Sequence, residues 1–243
     1  MNYFKLYKIE NFDRKLLLRA YGILHVNSFG IDHYSEETTM EHRGTGLYVE
    51  ASVFDHSCVP NACASGNDRM LEIRALSPIK PGDTIYIDYI QDVLPKTERL
   101  ETLSGRYFFT CQCELGCKDG LGDKAFDSSV DYKRYKVLNN LIEAIQTSIN
   151  EKPSNKVDWP QLHKLFKQRL AIQEQYYSRC GYHPCLSLFY QSYLQFAIIH
   201  HTKLSDIEDH CHQILMKAKE HLSITHGTTH PFYSIVQERQ STK

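Results

Sequence analysis

No long apolar run is present. The longest, such as Leu16-Leu17-Leu18 and Phe196-Ala197-Ile198-Ile199, stop far short of the ~20 residues a membrane-spanning helix needs. The stretch from Met1 to Phe12 mixes Lys, Glu and Asn among its apolar residues, so a signal peptide's apolar core is missing too. A strongly basic stripe is also lacking. The net charge is −1, with 13 basic and 17 acidic side chains in residues 1–120 and 15 and 12 in the remainder. That balance argues against direct nucleic-acid binding. At 42% hydrophobic and 23% charged residues, the composition excludes disordered, collagen and coiled-coil classes. What remains is a globular protein, expected to be soluble, intracellular and monomeric, with chain enough for one large domain or two small ones.

Eight cysteines are present, unevenly spread and unlike a disulfide framework. Cys58 and Cys63 share one polar segment, Cys180, Cys185 and Cys211 are scattered, and Cys111, Cys113 and Cys117 crowd together. Three thiols at C-x-C-x3-C spacing point to a metal, and zinc held by thiolates wants four ligands in tetrahedral array.

Period changes along the chain divide it. Residues 3–24 carry a helix-like apolar stripe through Leu6, Ile9, Leu16, Leu17, Tyr21 and Leu24. Met70 to Ala75 and Thr84 to Tyr89 alternate as short strands, separated by a Pro81-Gly82 pair that fits a type II turn. Residues 95–107 read as partly helical. Lys118 to Asp123 is a Gly-rich linker, and beyond it no strand pattern survives. Five helices are expected there: one on the Tyr135, Leu138, Leu141, Ile142 and Ile145 face, and one after Asp158-Trp159-Pro160. The others start at Pro184, at Ser205-Asp206 and at His230-Pro231. No clean 34-residue repeat is visible. Seven histidines lie between His200 and His230. Pairs such as His210 and His212 do not share a helix face, so they read as packing residues rather than ligands. The aromatic residues from Tyr176 to Phe196 read as helix packing.

Gly44-x-Gly46 alone is a weak signal, since it follows no strand and opens no evident helix. Asp55-His56-Ser57-Cys58 followed by Pro60-Asn61 is far more specific. Combined with Tyr86-Ile-Asp-Tyr89, Asn27-Ser28-Phe29 and Arg106-Tyr-Phe-Phe-Thr-Cys-Gln-Cys113, it resembles the C-terminal half of a SET domain. The closest pattern is that of the SET-and-MYND family of protein-lysine methyltransferases. The stretch Thr225 to Pro231 resembles, more weakly, the last helices of that family's C-terminal domain.

The resemblance implies an α+β fold: a helical SET insert (1–30), a partial SET β-fold with a post-SET zinc motif (31–120), and an all-α, tetratricopeptide-like domain (121–243). It implies methyl transfer from S-adenosylmethionine to the lysine of a protein or peptide, such as a histone tail, in cytoplasm and nucleus. Tyr89 and Tyr107 would be the catalytic residues, with Asn27, Asp55, His56, Tyr89, Tyr107 and Phe109 contacting the cofactor. Zinc would be held by Cys58, Cys111, Cys113 and Cys117, with Cys63 the substitute should Cys58 not serve. The chemistry suits these residue types. Lysine attacks as a neutral amine, its reference pKa is ~10.4, and an aromatic tunnel favours the neutral form by desolvation.

The chain departs from that family at three points. The half-SET sequence with its Gly-x-Gly loop and the MYND zinc array are not found ahead of the insert, so an incomplete cofactor pocket and exposed strand edges are expected. The Asn before His-Ser-Cys is Asp55, and an ionised Asp accepts hydrogen bonds without donating them. Cys113 and Cys117 stand one residue further apart than the family's spacing, with Gly116 between them to absorb the difference. The competing expectation is therefore a catalytically weak or inactive relative that acts as a binding or regulatory module.

Overall fold

The computed structural model describes residues 13–34, 40–113, 117, 130–152, 157–200 and 207–240. The linker at 118–123, the start of the expected first helix and the Ser205-Asp206 cap lie outside them.

Helix α1 (Arg14–Asn27) begins where Asp13 Oδ1 accepts the backbone N–H groups of Lys15 and Leu16 at 2.8 and 3.2 Å. That is the N-cap role for which a short carboxylate is suited. Strands β1 (Ser28–Tyr34) and β2 (Met40–Leu47) pair antiparallel, with a register shift between Ile31 and Asp32. A 3-10 turn (Ala51–Val53) leads to β3 (Asp55–His56), which runs parallel to β6 (Tyr86–Ile87). Between them, β4 (Ala62–Asn67) and β5 (Met70–Ala75) form a second antiparallel ladder. All six residues from Met70 to Ala75 pair with β4, and the alternation of burial holds from Met70 to Ile73 but ends there, Arg74 being half-buried under Ile224 O and Ala75 exposed. The alternation of Thr84 to Tyr89 yields only two paired residues, because β3 offers β6 no longer partner. The Pro81-Gly82 turn forms as read: Asp83 N–H donates to Lys80 O at 3.0 Å and Gly82 has φ +94°.

Helix α2 (Lys96–Tyr107) precedes the cysteine segment and ends on Phe108, in left-handed conformation at φ +63°. The remaining elements are α3 (Val130–Glu151), α4 (Trp159–Tyr177), α5 (Pro184–His200), α6 (Ile207–Thr225) and α7 (Pro231–Gln240), each packed against the next. Asp158 caps α4 by accepting Gln161 N–H at 3.0 Å, and Pro begins α5 and α7 at the position where a missing N–H does no harm. The fold is α+β, with its strands gathered in 28–87 and its C-terminal part all helical.

Two cores result. The larger lies among α3–α7 and includes Ile142, Leu162, Phe166, Tyr177, Tyr193, Ile214, Leu222 and Phe232, all nearly inaccessible. Phe166 and Phe196 stack at 4.4 Å between ring centres. Each such buried side chain contributes roughly 1.5–3 kcal/mol. Tyr176, Tyr177, Tyr190 and Tyr193 are buried in this core. The smaller core gathers Cys58, Ile90, Leu103, Cys111 and Cys117, flanked by Tyr89, Tyr107 and Phe109.

The two regions are stitched by polar contacts. Arg74 Nε donates to Ile224 O at 3.1 Å, and Arg99 Nη1 donates to the hydroxyl oxygen of Tyr176 at 3.2 Å. The Tyr132 hydroxyl donates to Glu98 at 2.6 Å.

Candidate functional site

Four thiols from two distant segments meet in the smaller core. The Sγ atoms of Cys58, Cys111, Cys113 and Cys117 all lie within 4.8 Å of one another. Cys58 stands 3.9 Å from Cys111 and 3.6 Å from Cys117, and none of the four is in a disulfide. A tetrahedral zinc with Zn–S near 2.3 Å holds its sulfurs about 3.8 Å apart. The donor set and spacing therefore fit zinc. Cys117 N–H donates to Cys113 O at 3.0 Å, which holds the last thiol near the others despite the wider spacing. Hydrogen bonds from Cys113, Cys117 and Cys58 push the Cys111 thiol down, while the same crowding pushes Cys58 up. Cys63 is elsewhere: it is buried against α6, its thiol donates to Thr225 O at 3.4 Å, and burial pushes it up to about 12. Cys58, the fourth ligand the resemblance implied, is the one in the cluster, and its substitute Cys63 is not. Among the described residues, no histidine group forms a second cluster of this kind.

His56 connects the thiols to the aromatic residues. Its side chain is fully buried. Its Nδ1 accepts the Tyr89 N–H at 3.0 Å, so the ring proton belongs on Nε2, 3.3 Å from Cys58 Sγ. Around it stand the other rings: Tyr89 at 5.3 Å and Phe109 at 6.0 Å from the imidazole centre, with Tyr89 and Tyr107 at 4.8 Å from each other. These are aromatic-pair distances. The Tyr89 hydroxyl donates to Phe54 O at 2.6 Å and the Tyr107 hydroxyl to Tyr89 O at 3.4 Å. Burial above all, then the neighbouring Asp55 charge, raises Tyr89 above the usual phenol value. Burial likewise raises Tyr107. Both hydroxyls stay neutral at physiological pH.

The six residues expected at a cofactor site come together. Asn27, Asp55, His56, Tyr89, Tyr107 and Phe109 line one cavity of about 490 Å³, within the range of small-molecule sites. A second cavity of about 280 Å³ shares Val26, Asn27, Ser52, Tyr89 and Tyr107 with it and adds Phe54, Asp88 and Arg106. The tyrosine pair therefore stands between two adjoining spaces. Asn27, at the end of α1, donates its amide N–H to Ile23 O at 2.9 Å. Asp55 is exposed and keeps its backbone paired with Tyr86. Two residues that sequence reasoning did not single out also belong to the site. Asp88 lies 3.4 Å from His56 Nδ1 through one oxygen and 3.2 Å from His183 Nε2 through the other. Asp88 sits inside the quoted Tyr86 to Tyr89 motif. His183, 95 residues further on, carries no local signal.

Part of the sequence is shared with known proteins. Residues 3–90 match the SET domain family. The human N-lysine methyltransferase SMYD2 is 30% identical over 102 residues, 42% of this chain and 23% of that protein. The rat protein of the same name is 32% identical over 108 residues, 44% of this chain and 24% of that one. Zebrafish N-lysine methyltransferase SMYD2-B is 31% identical over 141 residues, 52% of this chain and 32% of that protein. The chain thus spans less than a third of the length of these relatives. Residues 3–90 are similar to SET domains, and these relatives are N-lysine methyltransferases matched over part of their length.

Proposed function

We propose that this chain provides the cofactor and lysine site of a protein-lysine N-methyltransferase that uses S-adenosylmethionine, with a structural zinc behind it. One observation carries the reading: six residues from separate segments, each matched to the family motif, line a single cavity. The relatives' names, N-lysine methyltransferase, support it.

S-adenosylmethionine, when bound, supplies a methyl group on a positively charged sulfur. Everything else falls to the chain. Phe109 offers a flat face for the adenine, the backbone of Asp55 and His56 borders it, and Asn27 lines the same space. The adjoining cavity, walled by Tyr89, Tyr107 and Phe54, receives the lysine stem. Asp88 and Arg106 both line the adjoining space, so their charges offset there, while Asp55 adds a negative charge beside the first space. Once between the rings the amine is desolvated and its neutral form favoured. The raised tyrosines are poor bases at neutral pH, so desolvation, with the proton lost to water, does that work. The Tyr89 hydroxyl already donates to Phe54 O, so its oxygen lone pairs are left as acceptors for the amine or the transferring methyl. Rate enhancement then comes from alignment of two reactants, the effect that positioning supplies.

The reading is tested by calorimetric titration with S-adenosylmethionine and by methyl transfer to lysine peptides, histone tails among them. Tyr89→Phe should lower kcat by about a hundredfold, the scale of losing one preorganised polar contact, while cofactor affinity stays within about threefold. If the unaltered chain neither binds the cofactor nor transfers methyl, the reading fails and a non-catalytic binding module takes its place. Full activity in Tyr89→Phe refutes the role given to that hydroxyl.

A further inference from the structure

Asp88 immediately precedes Tyr89, and its carboxylate is 13% exposed. One of its oxygens accepts the Ile90 N–H at 2.8 Å. The other lies 3.2 Å from Nε2 of His183, just ahead of α5. His183 is held on every side. Its side chain is 1% exposed. Its Nδ1 accepts the Cys185 N–H at 3.3 Å, so its proton sits on Nε2 and is donated to Asp88. Its ring stacks on Tyr177 at 4.2 Å and 23°. An imidazole with both nitrogens and one face engaged is a fixed point in the helical core. Through Asp88 that point reaches the backbone on both sides of Tyr89, whose own N–H is committed to His56.

We propose that His183 is a positioning residue for the lysine site. It clamps the Asp88 carboxylate, the clamp fixes the 88–90 segment, and the segment sets the Tyr89 ring between the two cavities. The helical part of the chain is by this contact a component of the site. The catalytic consequence rests on the methyltransferase reading, whereas the clamp itself does not.

Two variants of the full chain separate the donor from the ring. His183→Phe keeps a ring against Tyr177 and removes the N–H. His183→Gln keeps an N–H at similar reach and removes the ring. Amide hydrogen exchange reads the clamp without any activity. In His183→Phe the Tyr89 and Ile90 amides should lose tenfold or more in protection while the β4–β5 ladder keeps its own. His183→Gln should stay within about threefold of the unaltered chain. In the transfer assay, His183→Phe should lower kcat about tenfold with KM and cofactor affinity little changed, and His183→Gln should restore it. Unchanged protection at Tyr89 and Ile90 in His183→Phe, or equal loss in both variants, overturns the proposal. If His183→Phe does not fold, Asp88→Asn decides. With one oxygen for two donors it must show the same loss at those amides, and unchanged protection overturns the proposal. If the unaltered chain transfers no methyl, the function reading falls and the exchange result alone decides the clamp.

Discussion

At the scale of single residues, two cysteines that look alike in the sequence have opposite fates. Cys58 and Cys63 are five positions apart, yet one enters a four-thiol cluster and the other faces a carbonyl of α6. About one zinc per chain is therefore expected by elemental analysis of protein purified without chelator. Cys111→Ser combined with Cys113→Ser should abolish it, whereas Cys63→Ser should leave it in place, since a thiol pushed up to about 12 is protonated at neutral pH. Zinc retained by the double variant, or lost from Cys63→Ser, would sink the ligand assignment. The triplet Cys111, Cys113 and Cys117 was legible because its spacing is local. The fourth ligand, Cys58, rested on the family resemblance, with Cys63 as its substitute, because nothing in the 53-position separation from Cys111 encodes the distance across the fold. His183 was invisible for the same reason: a lone histidine before a proline reads as a helix start, and only packing brings Asp88 to it.

At the scale of elements, caps and turns were the best-read features, because they depend on a few adjacent residues. Asp158, Pro184, Pro231 and Pro81-Gly82 all do what their chemistry prescribes. Strand lengths were less legible, since a strand lasts only as long as its partner. Gly227 shows a tertiary demand on a local choice. It closes α6 by donating its N–H to Leu222 O at 2.9 Å with φ +86°, and a Cβ there would meet Arg74 Nη1 at 2.8 Å. Gly227→Ala should destabilise by about 1–2 kcal/mol from the left-handed backbone alone, lowering Tm by roughly 2–8 °C for a chain of this size. Gly105→Ala, inside α2 with nothing within 4 Å of the added carbon, should instead raise stability by about 0.5–1 kcal/mol. Thermal melts of the two variants check the pair. Equal effects would show that the strain at Gly227 is not what its backbone and neighbour imply.

For the whole molecule, the seam between strands and helices carries a pH dependence. His226 and His230 lie where α6 and α7 meet β4 and β5, with their rings 4.8 Å apart. Burial first, then the His230 and Arg74 charges, pushes His226 down to about 3, and burial pushes His230 down to about 4. Both are therefore neutral in the fold and protonate near 6.5 when unfolded. Their contribution is fully present above pH 6.5 and is lost as pH falls from there toward 4 and 3. The slope is about 1.4 kcal/mol per pH unit for each imidazole. Denaturant midpoints should drop through that window. His230→Asn, which keeps an acceptor for the Phe232 N–H, should lose about half of the histidine slope. Identical pH profiles for the two proteins would rule the seam out as the source.

The sequence by itself determined the helix starts at Asp158, Pro184 and Pro231, the turn at Pro81-Gly82, the α+β division and the motifs that carry the family resemblance. All of these rest on adjacent residues, short periods or fixed spacings. Only the tertiary structure decided which thiol completes the cluster, that Asn27, Asp55, His56, Tyr89, Tyr107 and Phe109 share one cavity, and that a histidine of the helical part holds the carboxylate beside Tyr89. Those juxtapositions join residues tens of positions apart. They exist only once buried apolar surface has fixed how strands and helices lie against one another, which no local pattern specifies.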